Sequence, residues 1–131
     1  MSGSRGSSTV EFVLLVPVLV LLLVFATAFG RGVDMSMSLR RAAEDGARAA
    51  SMVGSRHMER VGRERVLEEL SHRDGCLHPR ARVEVQQLGV TVFVTVSATC
   101  EMDRQGVVSL IPFGRTFTST STEVVDVFTY R

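Results

Sequence analysis

The hydrophobic pattern changes character twice along the chain. Residues 12–29 read FVLLVPVLVLLLVFATAF and carry no charge. A run of this length meets the lower limit for crossing a bilayer as a helix, about 17–25 residues. A buried helix of a small soluble protein does not need apolar residues on every side. Pro17 lies inside the run. It removes one amide donor and frees the carbonyl of Val13, so a mild kink is expected, which a membrane helix tolerates better than a soluble one.

Past the run the pattern becomes amphipathic. Leu39, Ala42, Ala43, Gly46, Ala47, Ala50, Val53 and Gly54 recur at helical spacing and line one face. That face is small and smooth. The opposite face offers Arg40 to Glu44, Arg41 to Asp45 and Glu44 to Arg48 at i,i+4. The membrane helix is therefore expected to continue outside the bilayer to about Val53. Its small seam, centred on Ala43, Gly46, Ala47 and Ala50, suits close approach by another backbone. Either the chain's own sheet or a neighbouring subunit could supply that surface.

The third regime is mixed. Residues 56–71 read as a second helix, with Met58, Val61, Val66, Leu67 and Leu70 apolar and Glu59 spaced to pair with Arg63. Pro79 falls in an expected loop. Residues 82–86 alternate as a short strand, and Gln87, Leu88 and Gly89 signal a turn. Residues 90–100 are the clearest strand, with Val90, Val92, Val94, Val96, Ala98 and Cys100 on one face. Residues 110–114 (LIPFG) read as a loop with apolar anchors, and residues 116–129 as a final Thr- and Val-rich strand. The predicted fold class is α+β: a long N-terminal helix, a second helix and a small antiparallel meander packed on the long helix.

Composition narrows the function. The chain has 131 residues and a formal net charge of +1, so no long-range field points to nucleic acid. Its basic residues are all Arg. Trp is absent and Tyr130 is the single Tyr, which leaves few stacking platforms for bases or sugars. His57, His72 and His78 with Cys76 have only a loose metal-site spacing, and surface histidines are the simpler reading. Ser109, Ser119 and Ser121 lack a nucleophile-elbow context, and there is neither a phosphate loop nor a carboxylate pair. No enzymatic activity and no cofactor are expected. Cys76 and Cys100 form an even pair, which reads either as the disulfide of an exported domain or as two buried thiols.

Charge does not orient the membrane segment, since Arg5 precedes it and Arg31, Arg40 and Arg41 follow it. The segment GSSTVE at residues 6–11, leading directly into the apolar run, resembles the prepilin peptidase site of type IV pilins and pseudopilins. That resemblance implies a leader ending at Gly6, a mature N-terminus at Ser7 and a fifth-position carboxylate at Glu11. In that family the first mature residue is often Phe or Met, and Ser7 departs from this. The resemblance further implies that Glu11 pairs with the N-terminal amine of a neighbouring subunit. A lone carboxylate at the edge of a membrane helix marks a functional site by default, although a helix border residue favoured by the N-terminal dipole is the plainer alternative. A rival processing signal lies in Ala26-Thr27-Ala28, which would let signal peptidase cut after Ala28 and release a soluble binding domain.

Beyond the leader, the chain resembles the TadE-like family of minor pseudopilins from tight-adherence (Tad) pilus systems. The resemblance rests on RGSSTVEFVLLVPVLVLLLVFATAFGR, then LRRAAEDGARAAS, then a β-rich tail containing LIPFG. It implies a role in assembling a Tad-type, type IV-like pilus. The implied partners are a prepilin peptidase, other pilins and pseudopilins, membrane lipid, and an inner-membrane assembly platform with a cytoplasmic ATPase. The expected organisation is a leader over residues 1–6, a transmembrane helix over 7–30 and an amphipathic extension over 31–54. A small exported α+β domain over 55–131 completes it.

Overall fold

The computed structural model describes residues 7–103 and 116–125. In chain order these form helix α1 (Ser7–Ser51), helix α2 (Met58–Ser71) and strands β1 (Cys76–Leu88), β2 (Thr91–Met102) and β3 (Thr116–Val125). The fold is α+β, as the hydrophobic pattern predicts. The chain divides into two units, Met1–Val33 and Asp34–Arg131.

In the first unit the described residues are helical, and Pro17 sits within the helix. Thr27 Oγ1 donates back to the carbonyl oxygens of Val24 and Leu23 at 2.9 and 3.1 Å. This local bond satisfies a hydroxyl that hydrocarbon would otherwise strand.

The second unit is built on a three-stranded antiparallel sheet of order β1-β2-β3. Along β2 the pleat sorts side chains strictly: Val92, Val94, Val96, Ala98 and Cys100 are buried. On the other face the hydroxyls of Thr95, Ser97 and Thr99 meet those of Thr122, Thr120 and Thr118 on β3, at 2.9 to 3.1 Å. These are cross-strand pairs of the kind that stabilises a solvated sheet face. The turn falls one residue later than its sequence signal. Leu88 pairs with Thr91 across Gly89 and Val90, and Gly89 has φ +63°, as the first loop position of a II′ hairpin requires. Val90 is therefore a loop residue, 82% exposed, and not a strand residue on the buried face.

β1 corrects the expected short strand at residues 82–86. It begins at Cys76 and runs through Pro79, which the sequence pattern assigns to a loop. The register slips between Leu77 and Arg80, and His78 takes φ 51°. A bulge on an edge strand accommodates proline because the missing N–H leaves no ladder bond broken. β3 starts where expected and is described as far as Val125; residues 126–129, and the anticipated loop at 110–114, lie outside the described residues.

The core lies between the C-terminal part of α1, α2 and the buried face of the sheet. Met35, Leu39, Ala42, Ala43, Ala47 and Ala50 from α1 join Met58, Val66 and Leu70 from α2 and the β2 valines in one cluster. Burying each large aliphatic side chain here contributes roughly 1.5–3 kcal/mol relative to exposure. α2 starts at Met58 and not at residue 56, after a turn in which His57 N–H donates to the Gly54 carbonyl at 2.9 Å. Its buried face is the i,i+4 series Met58, Gly62, Val66 and Leu70. Val61 and Leu67 stand only half-buried beside that face. On the solvent faces Arg40 meets Glu44 at 2.9 Å as anticipated, while α2 pairs Arg60 with Glu64 at 3.4 Å in place of the expected Glu59 and Arg63.

Candidate functional site

Three groups of residues are candidates for function: the start of α1, its small-residue seam, and the two cysteines.

Ser7, the expected mature N-terminus, lies in the described part of α1. Gly6 lies outside the described residues. Glu11 lies within α1 and is exposed, followed immediately by the apolar surface. That surface is uncovered: Phe12 is 72% exposed, Leu14 67% and Leu22 60%. Soluble domains rarely present a contiguous apolar patch of such extent. Within this unit the ring centroids of Phe25 and Phe29 lie 5.3 Å apart. This helix is long and apolar enough to cross a membrane. A single apolar N-terminal helix of this kind fits a single-pass membrane protein.

The seam faces inward. Ala43, Ala47 and Ala50 are fully buried, and Gly46 is buried with them. A Cβ built on Gly46 would come 2.5 Å from Val66 Cγ2, 3.1 Å from the Gly62 carbonyl oxygen and 3.3 Å from Val96 Cγ1. The seam is thus occupied by the chain's own α2 and β2. Of the two surfaces that could have filled it, the domain itself supplies one. Sequence reading missed Gly62, its counterpart on α2. The signal was present, because Gly62 sits midway between Met58 and Val66 at i,i+4 on an apolar face.

Cys76 and Cys100 are joined by a disulfide, with their Cα atoms 5.6 Å apart. The bond ties the first residue of β1 to β2 beside the bulge. It takes up the thiol of the loose His72, Cys76 and His78 grouping. Among the described residues no three His, Cys, Asp or Glu side chains gather as a metal site would need. Near the bulge, His78 Nδ1 lies 3.4 Å from Glu101 Oε2.

Comparison with known proteins bears on the N-terminal third of the chain. Residues 6–48 match the family model described as TadE-like protein. The matched stretch begins at Gly6, contains Glu11 and the whole apolar run, and ends inside the buried seam. No curated relative and no solved structure matches the chain.

Proposed function

We propose that this chain, TadE-like over residues 6–48, is a minor pilin or pseudopilin that assists assembly of a Tad-type pilus or related secretion apparatus. The observation that carries the reading is the make-up of the matched segment. A glycine and a carboxylate stand five residues apart directly before an uncovered apolar run. In this reading a prepilin peptidase cuts after Gly6 and Ser7 becomes the N-terminus. The helix then enters the membrane, and Glu11 pairs with the terminal amine of a neighbouring pilin. A buried carboxylate needs such a partner, because an unpaired charge near hydrocarbon costs several kcal/mol.

The cysteine pair supports an orientation that charge leaves undecided. Disulfides persist in oxidising compartments and are rare in the cytosol. The Cys76 to Cys100 bond therefore favours a domain lying outside the cytoplasm, with the leader inside. The protein acts by assembly and not by catalysis. Its other partners are membrane lipid and an inner-membrane platform driven by a cytoplasmic ATPase. The test is deletion of the gene with complementation: surface pili should be lost and then restored by the wild-type chain. Undiminished piliation in the deletion strain would end the assembly reading. Release of a soluble fragment beginning at Phe29 would support the rival, a secreted binding domain.

A further inference from the structure

A second candidate site lies at the β1 edge, far in sequence from the membrane helix. There, next to the bulge in β1, residues of α2, β1 and β2 line a shallow groove. Arg63, Arg80 and Arg82 line it, together with Ser97 and Thr99, whose hydroxyls are already paired with Thr120 and Thr118. No carboxylate is among the lining residues. Glu84 lies 2.9 Å from the Arg82 side chain, and Glu101 lies 3.4 Å from His78. Arg63 and Arg80 have no ion-pair partner among the described residues. The Arg82 side chain is 80% exposed, so its bond to Glu84 is weak and can be exchanged.

We propose that this groove binds an acidic, extended peptide segment of a partner protein. Arginine forks match carboxylates in geometry as well as in charge. Two features favour a peptide over a polyanionic sugar or a lipid headgroup. Leu67 and Pro79 add apolar lining beside the charges, which suits a segment that mixes acidic and apolar residues. β1 is also an edge strand, with backbone groups open on one side among the described residues. An extended chain laid along it gains main-chain bonds from Ala81 onward, past the bulge. Strand addition and acidic-motif recognition by arginines are two established modes of peptide capture, and this groove combines them. The inference goes beyond the pilus reading and stands on different residues.

The experiment uses the full chain in detergent micelles and a fluorescently labelled peptide, Glu-Val-Glu-Val-Glu, whose carboxylates share one face when extended. Anisotropy is measured at low and at physiological salt. Wild-type protein should bind it and should ignore Gln-Val-Gln-Val-Gln. The double variant Arg63→Gln with Arg80→Gln should weaken binding by about tenfold or more, as expected for lost charge-assisted bonds. Arg60→Gln with Arg65→Gln is the control: it removes the same charge from α2 at exposed residues already paired with Glu64 and Glu68. All four arginines are exposed, so these variants keep the fold. The proposal is overturned by failure of the wild type to bind, or by equal losses in the two double variants. It is also overturned if phosphatidylglycerol micelles or a heparin fragment displace the peptide more effectively than unlabelled peptide does.

Discussion

Gly46 of α1 and Gly62 of α2 face each other so closely that a Cβ on either would crowd the backbone carbonyl of the other. The distances would be 3.1 Å from a Cβ on Gly46 to the Gly62 oxygen, and 3.3 Å in the reverse direction. The two helices meet at their backbones there, with the β2 valines beneath.

Replacing Gly46 by Leu should therefore destabilise the α+β domain by at least about 1–3 kcal/mol, the usual cost of overpacking. Several degrees of melting temperature should be lost, followed by circular dichroism in detergent. Gly62→Ala should cost less, because its nearest neighbours lie at 3.2 to 3.3 Å and two of them are side chains. An unchanged melting curve for Gly46→Leu would mean that the seam faces water.

Cys76 and Cys100 should resist alkylation in the denatured, non-reduced protein and react after reduction. The sequence separation is 24, and closing such a loop stabilises by roughly 3–4 kcal/mol in the chain-entropy model. The Cys76→Ser, Cys100→Ser double variant should melt at lower temperature and at lower denaturant. Two titratable thiols in the untreated protein would contradict the bond.

Processing is the third expectation. Intact-mass and N-terminal peptide analysis of membrane-extracted protein should give a chain beginning at Ser7. A chain beginning at Phe29 would transfer the protein to the secreted reading.

Glu11→Ala separates assembly from simple anchoring. The variant should still be cleaved and inserted, since removing a charge near hydrocarbon does not hinder insertion. It should fail to support piliation, because truncating one member of a buried pair costs about 3–5 kcal/mol. Counting surface pili in cells carrying only this form decides the matter, after gel shift confirms normal processing. Wild-type numbers of pili would remove the main physical support for the proposed mechanism.

Much of the fold was legible because its strongest signals are periodic. The apolar run, the small face around Gly46 and the alternation of Val92, Val94 and Val96 each repeat at the period of their element. Other features escaped sequence reading, each for its own reason. The start of β1 was hidden by Pro79, which reads as a loop until a bulge on an edge strand makes room for it. Gly62 was overlooked because a lone glycine in a helical stretch contributes no hydrophobic signal, although its absent side chain lets the helices touch. Met35 and Ser38 extend the buried face of α1 towards its N-terminus, where the small-residue pattern has already faded. The three-arginine groove gathers residues from α2, β1 and β2, so no spacing along the chain could announce it.

The β1–β2 hairpin is closed twice, by the turn at Gly89 and Val90 and by the bond from Cys76 to Cys100. These two strands form a covalent ring. Neither end of their ladder can fray open while the other holds. A protease that nicks the exposed loop at Val90 would open the ring without releasing a piece. The cut protein would keep its mass on a non-reducing gel and fall into two fragments only with reductant. Damage at this exposed turn would thus leave the sheet assembled.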